Sequence, residues 1–301
     1  LNTIPKRGGA LRPALALVVN AFVWGVSWWP FRTLHEFGLH PLWSTAGVYI
    51  VCLACVLAWR PATLRELRQH PQLWLLALAA GLTNVGFNWG VTVGDVVRVV
   101  LLFYLMPAWS VLLAWGLLGE RPGAAALARL VLALAGVAVV LGADATGLPL
   151  PASLADWLGL AGGFCFALTN ILLRRLNAAP APARVVAMFG GGAVLAGAVA
   201  AVGTAQGLIA TPVLPMGGVL VAAVLALGFL VGNIALQYGA SRLAAHATSL
   251  IMLSEVVFAS VSSVLLGAAQ PSGRTWLGGA LILAAAGWAA WPGKGSAHSA
   301  A

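Results

Sequence analysis

The chain has 301 residues, of which 61% are hydrophobic and 8% charged. In a soluble globular domain about a quarter of the residues are charged, so this composition excludes that class and points to an all-α integral membrane protein. The net charge is 16 − 7 = +9. In a soluble protein that excess would raise the question of nucleic acid. Here most of the Lys and Arg sit in short connections between apolar runs, so the charge belongs to membrane topology and no nucleic-acid partner is expected.

Ten apolar stretches of about 20 residues, enough to span a hydrocarbon core, are separated by Pro, Gly or charge. They cover about 13–34, 41–59, 73–92, 96–118, 124–142, 155–174, 184–205, 217–237, 246–267 and 274–291. Backbone groups in lipid must be satisfied within their own segment, so each is read as a helix. The first run follows the basic Lys6, Arg7 and Arg12 and is long enough to span. It reads as a retained first helix rather than a cleaved signal segment.

In chain order, residues three, four or seven apart share a helix face. The first helix places Asn20, Trp24, Ser27 and Phe31 on one stripe. Trp24 lies mid-span, where it serves either as an aromatic wall for a substrate or as simple packing. The second carries Cys52 and Cys55, read as small apolar side chains rather than a redox or metal pair. The third, "GLTNVGFNWGVTVG", puts Asn84, Asn88 and Thr92 on one stripe and Gly86, Gly90 and Gly94 on another. The glycines form a close-packing face. The amides then face the interior, either to meet a substrate or to cross-link helices. The fourth helix aligns Tyr104, Ala108, Val111 and Trp115 and carries Pro107, a candidate helix break or hinge.

The sixth helix aligns Gly163, Ala167, Asn170 and Arg174. The eighth offers Gly228 and Gly232 as a packing face, with Asn233 and Gln237 one turn apart. "GGG" at 190–192 follows no strand and has no Lys-Ser/Thr partner, so it reads as tight helix packing rather than a phosphate loop. In the ninth helix, Thr248, Met252, Glu255, Ala259 and Ser262 form one stripe, with Ser249 at its edge. Trp43, Trp59, Trp74, Trp276 and Trp291 fit an interfacial belt. Arg98 with Asp95 is expected to pair on the outer side. Arg32, Arg98, Arg174 and Arg242 lie near helix ends, and most of them are expected to snorkel to a surface or set topology.

Placing the N-terminus in the cytoplasm puts all sixteen Lys and Arg on the cytoplasmic side except Arg32, Arg98 and Arg274. Both termini are then cytoplasmic. The two halves, 1–150 and 151–301, read as repeats. A slide of 148 residues sets Gly119 on Gly267 and Pro107 on Glu255, and "NAFVWGVSWWPFR" matches "GGFCFALTNILLRR". Five spans per half is an odd number, so the second half would be inverted. Such repeats place a substrate site near the midplane, in a central cavity between the halves, and permit alternating access.

Trp24-Gly25 in the first helix, Pro107 and Gly119-Glu120 in the fourth and Gly136 in the fifth resemble, in order and spacing, the EamA type of the drug/metabolite transporter superfamily. "LSEVVFASVSS" is similar to the YddG-type bacterial amino-acid exporters, with Ser-Glu in place of the usual proline. The second half has Gly267-Ala268 where many relatives repeat Gly-Glu. The resemblance implies a monomeric secondary transporter of the bacterial inner membrane that exports amino acids, aromatic and other neutral ones, without a cofactor.

Glu255 is the residue that needs an explanation. A central acid in a membrane helix costs roughly 2.5–3.5 kcal/mol. It could bind a substrate ammonium, carry a proton, or hold helices together. The substrate cavity expected from the sequence comprises Glu255, Trp24, Ser27, Asn84, Asn88, Tyr104, Asn170, Asn233, Gln237 and Met252. No three-ligand metal cluster and no catalytic set is visible, which argues against a membrane-embedded enzyme. Another small metabolite or drug in place of amino acids is the nearer alternative.

Overall fold

The computed structural model describes residues 11–290 apart from 120–121, 142–150, 177, 214, 241 and 244–250. The described residues form helices and connections, with no strand among them. In chain order the helices are α1 Leu11–Val26, α2 Trp28–Glu36, α3 Pro41–Trp59, α4 Thr63–Gln69, α5 Leu73–Val93, α6 Val96–Phe103 and α7 Met106–Leu118. They continue with α8 Ala124–Leu141, α9 Leu154–Arg175, α10 Ala181–Ala205, α11 Met216–Ala240, α12 Ser254–Leu265 and α13 Gly273–Ala290. Among the described residues, seven helical stretches are long and apolar enough to cross a membrane, counting α1 with α2 and α6 with α7 as one each. The protein is a multi-pass, all-helical membrane protein.

Several predicted spans differ in detail from straight helices. The first is interrupted at Ser27, whose hydroxyl donates to Trp24 O at 2.8 Å. The fourth is interrupted at Tyr104–Leu105, and Pro107 sits in the first turn of the helix that follows. Proline has no N–H to give, so the carbonyl one turn before it, at Phe103, loses its α-helical donor. The turn tightens accordingly: Ala108 N–H donates to Leu105 O at 2.9 Å, one residue short of Tyr104.

The ninth span has the same break without a proline. Val256 N–H donates to Leu253 O at 3.1 Å, one residue short of Met252. The cause here is Ser254, whose hydroxyl donates to Ile251 O at 2.7 Å and takes the carbonyl that the Glu255 amide would occupy in a regular helix. Ala108 and Val256 differ by 148 positions, as do Leu105 and Leu253, and Phe103 and Ile251. The slide that aligns the sequences thus aligns the breaks. It also aligns Gly119 and Gly267, both left-handed with φ of 71° and 67° where these helices end. Glycine adopts that conformation without the steric penalty a Cβ brings.

Helix α5 is the central post. It packs along α10 on one side and α9 on the other, and most of its length is buried. The predicted glycine face is used there. Gly86 lies against Leu158 O and Gly162 of α9, and Gly90 against Val99 and Leu158. Gly191, from the triple-glycine run, meets the Ala77 carbonyl of α5 with no room for a side chain. Gly228 and Gly232 of α11 face Val23 of α1. At the other edge, α8 and α13 cross with Gly136 and Gly278 each against the other's carbonyl.

Two corrections concern charges. Arg98 does not pair its guanidinium with Asp95. Asp95 caps α6 by accepting from Arg98 N–H at 2.8 Å, and the guanidinium makes a two-pronged bond to Asp156 of α9, at 2.7 and 2.9 Å. A third donor reaches Val140 O of α8 at 2.8 Å. Asp95 begins the helix and is held by its own cap, whereas Asp156 projects from the first turn of α9 toward α6. Arg32 does not snorkel to a surface either. It donates to Val91 O and Gly94 O at the end of α5 and to Ala268 O just beyond α12, and stacks on Trp28 at 5.4 Å. The carbonyls of a helix end are an electrostatic sink for a cation.

Trp59, Trp74 and Trp276, expected in the interfacial belt, are exposed. Trp43 instead donates its indole N–H to Thr204 of α10 at 3.3 Å. Trp291 lies outside the described residues, as do Glu120, Thr248 and Ser249. So do the side chains of Pro107, Arg174 and Gln237.

Candidate functional site

Glu255 sits in the first turn of α12, just after the break, and is 7% exposed. The helix α1 crosses α12 here at Gly25. A Cβ on Gly25 would lie 2.6 Å from Phe258 Cβ and 2.8 Å from Glu255 O, so the two backbones approach closely only because residue 25 has no side chain. The carboxylate points to α6. Its Oε2 lies 3.1 Å from the hydroxyl of Tyr104, which is also 3.1 Å from the carbonyl oxygen of Met252. Among the described residues no Lys or Arg forms an ion pair with Glu255.

The flanking contacts tie α1 and α2 to α12 and the residues just before it. Asn20 Nδ2 of α1 reaches Met252 Sδ at 3.4 Å, and Trp28 Nε1 of α2 donates to Ser262 of α12 at 2.9 Å. The Oδ1 atom of Asn20 is buried and accepts from no donor among the described residues. It faces Gly232 of α11, where a Cβ would lie 3.3 Å away.

A second polar cluster lies between α3 and α5. Tyr49 donates to Asn84 Oδ1 at 2.7 Å, and Asn88 Nδ2 donates to Thr45 at 3.3 Å. Asn88 is fully buried and its Oδ1 accepts from no described donor. The predicted stripe Asn84, Asn88 and Thr92 is therefore buried, and both amides tie α5 to α3. Thr92 closes on its own helix, donating to Asn88 O at 2.6 Å.

Aromatic rings fill the space between the two clusters. Trp24 lies 4.7 Å from Phe229 and 6.0 Å from Phe87, Tyr49 lies 5.6 Å from Phe229, and Phe87 lies 4.8 Å from Phe103. Where the sequence pointed to a central cavity, these side chains meet one another. An open cleft lies to the side, between α7, α8 and α13. It is lined by Tyr104, Ala108 and Val111, three of the four residues of the predicted stripe, with Arg129, Ala133 and Ile282 opposite. The fourth, Trp115, is exposed.

The remaining candidates separate. Ser27 is buried in the break between α1 and α2. Asn170 is exposed, and the buried polar residue of α9 is its neighbour Thr169, bonded to Cys165 O at 2.9 Å. Asn233 is half-buried on α11. The sequence reading did not single out Tyr49, Thr45 or Ser254. Tyr49 and Thr45 lie one turn apart on α3, a polar pair inside an otherwise apolar helix, and that was the available signal. Among the described residues no group of three His, Cys, Asp or Glu could hold a metal ion.

Comparison with known proteins addresses the first half of the chain by sequence and nearly all of it by fold. No curated protein matches the sequence. A solved structure, described only as a crystal structure of a protein, covers 92% of this chain and 96% of its own, with a TM-score of 0.60 and 21% identity. At that identity the likeness carries the fold alone. Residues 11–142, which run from α1 to the end of α8, match the EamA-like transporter family.

Proposed function

We propose that the protein is a secondary transporter that exports amino acids, aromatic and other neutral ones, across the bacterial inner membrane. In this reading two five-helix halves, 1–150 and 151–301, are inverted repeats that rock against each other around the layer containing Glu255. Both termini are cytoplasmic and the monomer is the working unit. The family match over residues 11–142 supports transport as the activity and ends with the fifth predicted span. The matched breaks at Leu105 and Leu253 support the repeat.

The observation that carries the substrate reading is Glu255: a buried carboxylate without a cationic partner among the described residues, at a helix break, beside an unpaired amide oxygen on Asn20. Acceptors in excess of donors suit an ammonium ligand. Trp24, Phe87 and Met252 offer apolar and aromatic surface to a side chain. The amides Asn84 and Asn88 would meet the carboxylate after the aromatic rings between the clusters move apart. Relocation of those rings is the step that opens a central cavity in this reading.

The test is uptake of labelled amino acids into liposomes holding purified protein. Wild type accumulates or exchanges neutral amino acids, and Glu255→Gln loses at least tenfold in rate, equivalent to about 1.4 kcal/mol of transition-state binding. Equal rates for the two proteins would remove Glu255 from the site. Failure of every amino acid, with movement of another small solute, would shift the substrate class within the same family.

A further inference from the structure

Two carbonyls are released by the matched breaks, at Tyr104 in the fourth span and at Met252 in the ninth. They are equivalent positions under the slide of 148 residues, and the side chain of one residue reaches the carbonyl of the other. The side chain of Tyr104 leaves its own break and reaches the break of the other half, where its hydroxyl is equidistant from Met252 O and Glu255 Oε2, at 3.1 Å from each. A phenol has one proton to donate and can accept through its oxygen. It faces two acceptors when Glu255 is ionised, so one of them goes without. A protonated Glu255 changes the count, because its O–H can donate to the phenol oxygen.

We infer that Tyr104 is a positioning residue that transmits the protonation state of Glu255 to the helix break at Met252. With Glu255 ionised, the phenol O–H donates to the carboxylate, a charge-assisted bond that outcompetes a neutral carbonyl. Met252 O then loses its donor, and the turn joining residues 251–253 to α12 is held less firmly. When a proton from water binds Glu255, the carboxyl O–H donates to the phenol oxygen. The phenol keeps its own proton and rotates it about the C–O bond to Met252 O. The break is then pinned across the two halves. No proton leaves Tyr104 in either state.

The surroundings leave the switch to this pair. The elements packed most extensively on α12 are α1 and α6, and α2 adds the non-titrating Trp28, bonded to Ser262 two turns from Glu255. From α1 the facing residues are Asn20 and Gly25, neither of which titrates. From α6 and the turn after it, Tyr104 is the titratable group that faces Glu255. Arg98, six residues earlier, is held by Asp156, and Arg32 is bonded beyond the far end of α12 at Ala268. These statements cover the described residues. The inference rests on the proposed role of Glu255 and deepens it, by giving the carboxylate a partner through which its charge moves backbone.

Methionine makes the test direct, because the chain contains only four. Protein labelled with carbonyl-13C methionine, in nanodiscs, shows four backbone carbonyl signals, and the Met252 signal is assigned by its loss in Met252→Leu. In wild type the Met252 signal is expected to shift with pH along a single titration, while Met106, Met188 and Met216 stay still. In Glu255→Gln the shift disappears. In Tyr104→Phe it also disappears, with the other three signals unchanged as the check on folding. A Met252 carbonyl that ignores pH in wild type would overturn the inference. So would one that still titrates in Tyr104→Phe. The readout does not depend on any solute moving, so a failure of the transport reading and a failure of this one are seen separately.

Discussion

Replacing Asp156 with Asn tests how the adjoining ends of α6, α8 and α9 are held. The Asp156 side chain is 2% exposed and that of Arg98 27%. The carboxylate accepts both prongs of the guanidinium and, in addition, Ala152 N–H at 3.0 Å. Removing one member of a buried ion pair leaves the other uncompensated, at a cost of about 3–5 kcal/mol. Arg98 keeps some solvent and the Val140 carbonyl, which brings the expected loss for Asp156→Asn to about 2–3 kcal/mol. Asp95→Asn should cost less than about 0.5 kcal/mol, because Asn caps a helix nearly as well as Asp, and Asp95→Ala about 1 kcal/mol for the lost cap. Denaturant unfolding of the purified protein in mixed micelles orders the three variants. The double variant Arg98→Met with Asp156→Leu should recover most of the loss, since an apolar pair of similar size relieves both desolvation penalties. If Asp95→Asn were as damaging as Asp156→Asn, the pairing described here would be wrong.

Two further outcomes follow from local geometry. At the α5–α10 crossing, Gly191→Ala drives a Cβ into the Ala77 carbonyl and should destabilise by about 1–3 kcal/mol through overpacking, whereas Gly190→Ala, with open space at its Cβ, should be neutral or slightly stabilising; thermal unfolding of the two variants side by side decides it. At the start of α3, His40 Nδ1 accepts from Leu42 N–H at 3.3 Å, and burial, with His35 adding, holds its pKa below the ordinary value of 6.5. The folded state therefore binds fewer protons than the unfolded one. Its contribution to stability is present above pH 6.5 and is lost as pH falls through the lower folded value. His40→Asn, which keeps a cap but does not titrate, should flatten that part of the stability–pH curve, and an unchanged slope would assign the dependence to another group.

What the sequence made legible was whatever depends on one helix at a time. The glycine stripe of α5, the triple glycine of α10 and the Tyr104–Ala108–Val111 face follow from the helical period; the structure packs α5 and Gly191 closely and lines a cleft with the third. Pairings between helices were less legible. Arg98 was matched to the acid nearest in sequence, yet Asp95 is oriented by its own backbone and Asp156 arrives from a helix 58 residues away. The amides of α5 could be placed on an inward face, but not assigned Tyr49 and Thr45 as partners. Arg32 could be placed near a helix end, but the carbonyls it collects come from α5 and the segment after α12, which only the fold brings together.

Why an acid stands where the other half has a proline is a question about how a helix is broken. Breaking an α-helix in a membrane strands a carbonyl, which must find a donor nearby. In the fourth span Pro107 withholds its N–H, and the break cannot be reversed by any change of charge. In the ninth span Ser254 makes the break with a hydroxyl that bonds Ile251 O, and the amide of residue 255 remains available to restore the ladder. The second break is therefore softer than the first by construction. Glu255 then sits at the softer break with Tyr104 as its contact to the harder one. In the proposed repeat, the fourth span would then hold the rigid break and the ninth the adjustable one. In the proposed function, the roughly 2.5–3.5 kcal/mol cost of a central acid is set against the capacity to adjust that break with a proton or an ammonium group.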